Sequence, residues 1–314
     1  MQASGLKRPI HNSAGSHTDR KKRRIRFVWF PPPRTLEDMK ESHTHDSPMA
    51  GNNAFSWHSI RVGCAGWGIP RQAASHFVFG GSHLERYSQV FNSCEINSSF
   101  YRPHKTETWE RWAKSVPAEF RFSVKAPRSI THEAKLNCSS ESLSSFLQQI
   151  KFLYDKLGPV LIQLPPSLGF EHSRARRFLS LLRESYGGDV VWEPRHASWF
   201  DDRVDDLLKE FHIARVAADP PCVPAASRPG GAASLVYFRL HGSPRRYYSV
   251  YSNEFLGLLC GQLANLATNS RVWCVFDNTA SGSAIQNALE LNAKLRKLAG
   301  ATVGTAPVLT LRPH

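Results

Sequence analysis

The sequence predicts an α/β protein: a (β/α)8 TIM-type barrel preceded by a disordered N-terminal extension. Three observations carry this. Short β-rich runs alternate with longer helix-period stretches from residue 60 onward, eight such runs are present, and polar residues crowd where the runs end. Eight strands in roughly 250 residues is the usual size of such a barrel. A doubly wound open sheet is the alternative, but it usually has fewer strands, and neither a GxGxxG turn nor a GxxxxGK[ST] loop is present.

Residues 1–57 lack hydrophobic periodicity, carry PPP at 31–33 and are rich in Ser, His, Asn and charge, the composition of a chain that stays unfolded. The barrel is expected over 58–314. Lys7-Arg8, then twelve residues, then Lys21-Lys22-Arg23-Arg24 has the spacing of a two-part nuclear localisation signal. A merely solvated basic tail is the alternative. Pro9 and the compact KKRR block suit a mitochondrial presequence poorly.

The expected strands are Arg61 to Cys64, Ser93 to Ile96, Phe120 to Lys125, Val160 to Leu164, Val190 to Glu193, Ala214 to Ala217, Val236 to Leu240 and Val272 to Phe276. Helical periodicity covers Leu84 to Val90, Thr108 to Val116, Leu143 to Leu157, Ala175 to Tyr186, Val204 to Phe211, Phe255 to Ala267 and Ala284 to Leu298. Pro220 to Ser234, crowded with Pro, Gly and Ala, reads as a loop without a helix.

Lys and Arg number 40 against 26 Asp and Glu, a formal charge of +14. That balance favours an anionic partner, with nucleic acid as the broader alternative to a small molecule. No run approaches the roughly 18 apolar residues of a membrane span. The six cysteines form no CxxC pair and follow no secretion signal, so they read as reduced thiols of an intracellular protein, cytoplasmic or nuclear. No cofactor motif is present, and no coiled-coil heptads specify an oligomeric state.

Active sites of such barrels lie at the C-terminal ends of the strands. The runs exit into CAGW, EINSSFY, VKAP, IQLPP, WEPRH, AADP, RLHG and FDN. Side chains alternate along a strand, so Glu95 with Asn97, Ser123 with Lys125, Glu193 with Arg195, and Arg239 with His241 share a face. Charges rarely occupy such interior positions without partners.

These residues also carry a resemblance. RVGCAGW, CEINSSFYRPH, FRFSVKAPRSITHEAKL, LGPVLIQLPPS, VVWEPRHASW, VYFRLHGSPRRYY and CVFDNTASGSAIQNA, in that order over about residues 60 to 298, resemble the YecE-like family, also called domain of unknown function 72. The resemblance implies a barrel but no established reaction. It implies as site residues Glu95, Asn97, Tyr101, Lys125, His132, Gln163, Glu193, Arg195, His196, Asp219, Arg239, His241 and Asn278. The sequence departs from the family pattern at Ser99, Pro194 and Asp277, where the family usually has Thr, Phe and Asn.

Glu95 and Glu193 suit paired acid/base work if unequal environments separate their pKa values, or each could salt-bridge Lys125 or Arg195 and only shape the mouth. Lys125 ends a strongly apolar strand, where desolvation favours base or Schiff-base chemistry and an ion pair is the plainer reading. Arg195, Arg239, His196 and His241 suit a phosphate or carboxylate, with the histidines as proton carriers near neutral pH. Carboxylates and histidines at the mouth are adequate metal ligands, but no HxH, HxxxH or HExxH spacing supports a metal and none is expected. The leading expectation is an enzyme that clamps an anionic ligand with Arg195 and Arg239 and uses Glu95, Glu193, His241 and Lys125 as catalytic groups, in hydrolysis or isomerisation. A nucleic-acid-binding or nuclease-like barrel and a non-catalytic ligand sensor are the alternatives.

Overall fold

The computed structural model describes residues 59–303, with side chains to residue 300. The extension at 1–57 and its basic clusters lie outside the described residues.

Among the described residues ten strands are formed: β1 (Ile60–Cys64), β2 (Ser93–Ile96), β3 (Arg121–Lys125), β4 (Leu157–Gln163), β5 (Val190–Glu193), β6 (Ala214–Arg215), β7 (Ala217–Asp219), β8 (Gly230–Gly231), β9 (Leu235–Leu240) and β10 (Arg271–Phe276). The helices are α1 (His83–Ser88), α2 (Ser98–Tyr101), α3 (Thr106–Lys114), α4 (Ser140–Ile150), α5 (His172–Ser185), α6 (Asp202–Glu210), α7 (Asn253–Leu266) and α8 (Ser283–Val303). Among the described residues no helix is long and apolar enough to cross a membrane.

The strands form two sheets, a four-stranded one in the order β1-β10-β9-β7 and a six-stranded one in the order β2-β3-β4-β5-β6-β8. Every pairing is parallel except β6 with β8. The expected single closed sheet is therefore not what the ladders draw. β1 and β2 are joined by one isolated bridge, Ala65 with Glu95. The sixth expected strand is split at Val216, so that its first part pairs with β5 and its second with β9.

The helices start where side chains can satisfy the free N–H groups of a first turn. Ser82 and Glu85 form a reciprocal capping box on α1. Ser139, Glu171, Asp201 and Ser252 cap α4, α5, α6 and α7. α5 buries Ala175, Phe178, Leu179 and Leu182, a spacing that keeps one apolar stripe against the sheet.

The expected helix over 143–157 ends early. α4 stops at Ile150, a tight 3-10 turn covers 151–156, and Tyr154 takes a positive φ of 51°. Pro159 disfavours helical backbone at Gly158, so β4 begins at Leu157 instead of Val160. The 220–234 segment is not bare loop either: it carries a 3-10 turn at Pro224–Ser227 and β8. α2 and a π turn at Ser129–Glu133 sit inside expected loops and are too short to leave a periodic pattern.

Alternation along the strands sorts the side chains. One large apolar cluster packs strand residues such as Val62, Val124, Ile162 and Phe238 against the helices. The opposite faces of both sheets share a smaller cluster: Leu161, Val191, Ala214, Val216, Leu235, Tyr237, Trp273 and Val275. Toward the C-terminal strand ends this inner face turns from apolar to charged, with Glu95, Lys125, Glu193, Arg239, His241 and Asp277 all buried.

Gly63 marks the seam between β1 and β2. A Cβ there would stand 2.1 Å from the Ser93 carbonyl oxygen, so only glycine permits this approach. Gly63→Ala is expected to destabilise the fold by about 1–3 kcal/mol, the range for overpacking. An unchanged thermal midpoint would show that the two sheets do not meet so closely.

Candidate functional site

Arg239, wholly buried on β9, is the centre of the charged cluster. Its Nε and Nη2 donate to the two oxygens of Glu95 at 2.9 and 2.6 Å. Its Nη1 donates to Glu193 Oε2 at 2.7 Å and its Nη2 to Asp277 Oδ2 at 3.1 Å. Three carboxylates from three strand ends thus converge on one planar fork, the geometry that guanidinium favours.

The neighbouring donors complete the arrangement. Tyr237 places its hydroxyl 2.9 Å from Glu95 Oε2 and 2.9 Å from Ser123 Oγ. Gln163, paired in register with Glu193, donates Nε2 to Glu193 Oε2 at 2.8 Å. Arg195 Nη2 lies 2.5 Å from Glu193 Oε1. Burial alone would push Glu193 up, but Arg195, Arg239 and His241 overcome it and hold the carboxyl well below its ordinary 4.5. Asp277 is likewise held below 3.8: burial opposes, and Arg239 and His241 prevail.

His241, also wholly buried, is pinned at both nitrogens. Nδ1 lies 2.9 Å from Asp277 Oδ2, and that carboxylate can only accept, so Nδ1 carries a proton. Nε2 lies 3.0 Å from Glu193 Oε1 and 2.7 Å from Arg195 Nη2. An acceptor and a donor compete for the same nitrogen. An unprotonated Nε2 accepts from Arg195; a protonated one donates to Glu193, and Arg195 must then move.

Lys125 is 9% exposed and stands over the Phe100 ring, with Nζ 4.1 Å from its centroid. Burial and then Arg239 draw its ammonium down to about 8, against Glu95, Glu193 and Asp277. His132 packs edge-on against the same ring at 4.9 Å. Its pKa is lowered by burial and by Lys125, Arg128 and Arg195.

Other expected site residues stand elsewhere. Tyr101 is 72% exposed on the rim, in α2. His196 is exposed, and its Nδ1 accepts from the Ser198 N–H at the start of a 3-10 turn. Asn278 donates to the Ser249 carbonyl and to Asn287 Oδ1, which closes a turn. Asp219 accepts from the Tyr251 hydroxyl at 2.6 Å, and burial raises its pKa. Asn97 precedes α2 and holds a buried Oδ1 with no hydrogen-bond partner. Arg239 itself departs from the expected anion clamp, because its fork is already occupied by carboxylates.

Tyr237 is not among the expected site residues, and Asp277 is expected only as a ligand-orienting or turn-closing residue and a chemically adequate metal ligand, not as part of the catalytic or anion-binding set. Parity marks both: Tyr237 lies two residues before Arg239, and Asp277 lies in phase with Trp273 and Val275 of the inner cluster. At Asp277, where the resemblance implies Asn, the structure has a third negative charge on the fork.

Two cavities of the fold stand apart from the cluster. One of about 790 Å³ is lined by Cys138, His172, Arg176, Arg177 and Phe178 on the outer side of α5. One of about 390 Å³ lies beyond β1 and β10, lined by Cys64, Gly66, Ile69, His83, Thr279 and Ile285. The cluster is the better site candidate, since buried opposed charges are costly to assemble and open volume is not. Among the described residues no group of three His, Cys, Asp or Glu side chains is arranged to hold a metal ion.

Fold and site together define an α/β protein of parallel sheets with a buried ion cluster at the strand ends. The family model described as "Protein of unknown function DUF72" matches residues 61–309, and the chain belongs to that family. The UPF0759 protein YecE of Escherichia coli K12 is 30% identical over 173 residues, 53% of this chain and 61% of that protein. The UPF0759 protein YunF of Bacillus subtilis is 28% identical over 45% of this chain and 52% of its own length. The chain thus spans between half and two thirds of these curated relatives. A DUF72 family crystal structure from Thermotoga maritima superposes with a TM-score of 0.65 at 26% identity, covering 76% of this chain and 99% of that one. One from Enterococcus faecalis gives 0.66 at 21% identity, covering 76% and 95%.

The depressed carboxyls make stability pH-dependent with a definite sign. Below about 4.5 the unfolded chain binds more protons than the fold, so stability is full above that pH and is lost as pH falls through the folded values. Urea unfolding from about pH 7 to about pH 3 should show that decline. Arg239→Leu should cost about 3–5 kcal/mol at neutral pH and flatten the acid limb. An acid limb as steep as the parent's would remove Arg239 from the centre of the cluster.

Proposed function

We propose that the chain is a (β/α)8 barrel enzyme that binds a small phosphate- or carboxylate-bearing molecule at the strand C-terminal mouth and performs acid/base chemistry there with His241 and Glu193. Closure into one barrel is supported by the Ala65–Glu95 bridge, by the 214–219 segment pairing with β5 and then β9, and by the inner cluster drawn from both sheets.

The observation that carries the function is the contest at His241 Nε2. Arg195 is the cation able to leave the cluster: its side chain is 9% exposed and its buried Nε has no partner. An anion arriving at the mouth draws the Arg195 guanidinium toward itself. Nε2 is then free to take a proton from the ligand, and Glu193 Oε1 stabilises the imidazolium that results. Asp277 holds the ring in the required orientation from Nδ1. Ligand charge and proton transfer are thereby coupled through one arginine. Arg239 and Glu95 take no direct part; they fix Glu193 and Asp277 in place.

Inorganic phosphate and succinate should raise the thermal midpoint of the full chain, and Arg195→Met should abolish the rise while leaving the fold intact. Equal shifts in parent and variant would defeat the anion seat. Metabolite pools passed over the protein, with the retained compound identified by mass spectrometry, supply the substrate. His241→Gln should then slow its conversion by about 10²–10⁴-fold, the scale of general acid/base catalysis. A retained compound that emerges unchanged makes the protein a sensor and ends the enzymatic reading.

A further inference from the structure

Lys125 is the cation that the cluster leaves over. It ends β3 on the inner face, in register with Leu161 of β4. Among the described residues its Nζ makes no hydrogen bond and no ion pair; its contact is the π face of Phe100. The carboxylates that a buried ammonium would seek are taken. Both oxygens of Glu95 bond Arg239, and those of Glu193 are shared among Arg239, Gln163, Arg195 and His241.

An unpaired buried amine sheds its proton readily, and a neutral lysine is a nucleophile toward carbonyl carbon. Beside it stands a base: His132 shares the Phe100 ring, its Nδ1 lies 2.9 Å from Thr131 Oγ1, and its Nε2 makes no hydrogen bond among the described residues. Lys125 and His132 thus flank one ring, and Arg195 follows the end of β5, two strands from β3 in the same sheet, so both strands deliver their cations to the same end of that sheet.

We propose that Lys125 forms an imine with the carbonyl group of a small oxo acid whose carboxylate is held by Arg195. The assignment rests on the anion seat argued above and adds to it the class of ligand. The Nζ lone pair forms the C–N bond while the carbonyl π pair moves to oxygen. One N–H proton passes through His132 to that oxygen and gives the carbinolamine. The second N–H proton follows the same route, the C–O bond breaks, and water leaves. The two protons of the amine and the carbonyl oxygen thus end in one water molecule, and a C=N bond remains.

The test is reductive trapping on the full chain with pyruvate, glyoxylate or neutral propanal, with cyanoborohydride as the reductant. It adds hydride to the imine carbon while solvent protonates the nitrogen, and peptide mapping by mass spectrometry locates the adduct. With pyruvate and glyoxylate, Lys125 should be modified at least roughly tenfold faster than an exposed lysine such as Lys114. Succinate, an anion without a carbonyl, should slow those two reactions, and so should Arg195→Met; propanal should be slowed by neither. Modification of Lys125 no faster than of Lys114 by all three probes overturns the imine, and leaves the anion seat standing if succinate still shifts the thermal midpoint. Fast propanal labelling with no effect of succinate or of Arg195→Met on the acids overturns the oxo-acid assignment and the anion seat together.

Discussion

The interaction on which the structure depends is the burial of Arg239 among Glu95, Glu193 and Asp277. Taking a guanidinium and three carboxylates out of water costs several kcal/mol per ion, and only near-ideal geometry offsets it. Here every donor of the Arg239 fork that reaches an oxygen does so between 2.6 and 3.1 Å. That requirement fixes more than a side chain. Glu95 and Glu193 lie at the ends of β2 and β5 in the six-stranded sheet, while Arg239 lies on β9 of the four-stranded one and Asp277 directly follows its β10. Where the ladder between β1 and β2 shrinks to a single bridge, charge ties the two sheets together across their inner faces.

The same burial sets a charge balance. Glu95, Glu193 and Asp277 face Arg239, Arg195 and Lys125, so the cluster is neutral when Lys125 carries its proton and His241 is uncharged. A proton on His241 then adds a charge that nothing in the cluster answers. An anionic ligand answers it, and by linkage whatever favours the anion favours the proton. The basic surplus of the whole chain has little bearing on this. What matters is that, among the described residues, Arg195 is the arginine of the cluster held by a single carboxylate, with its Nε unpartnered.

The strands were legible because β-branched runs and turn residues punctuate the chain, and parity placed Glu95, Glu193, Arg239 and His241 on one face. Parity is valid only while the chain stays extended. His196 and Tyr101 came from the family resemblance and not from parity, and the chain has left the extended form at both: residues 197–199 turn into a 3-10 helix after β5, and Tyr101 lies in α2. Partner choice was less legible still. Sequence proximity on adjacent strands suggested that Glu95 answers Lys125, yet Glu95 bonds an arginine that lies 144 positions along the chain. A bidentate guanidinium outcompetes a point-charge ammonium for a carboxylate, but which arginine arrives is decided by how the sheets close. The α4–β4 boundary was misplaced for a different reason: apolar residues keep a helical spacing through 143–157, while the backbone tightens to a 3-10 turn after Ile150 and leaves helical geometry at Tyr154.

The loss of Glu95 to Arg239 explains the state of Lys125, and the chain after β2 maintains it. Ser99, in α2, donates its hydroxyl to the Lys125 carbonyl at 2.7 Å and keeps the Ile96 carbonyl at 3.1 Å from the same oxygen, so the short helix bridges the backbone of both strand ends. The next residue, Phe100, then presents only its ring to the amine. A cation–π contact contributes about 0.5–2 kcal/mol, enough to orient an ammonium and too little to replace the hydration it has lost. A carboxylate at position 100 would have paired Lys125 and fixed its charge. An aromatic ring positions the nitrogen while leaving its proton weakly held, which is the condition a nucleophilic amine requires and an ordinary interior ion pair removes.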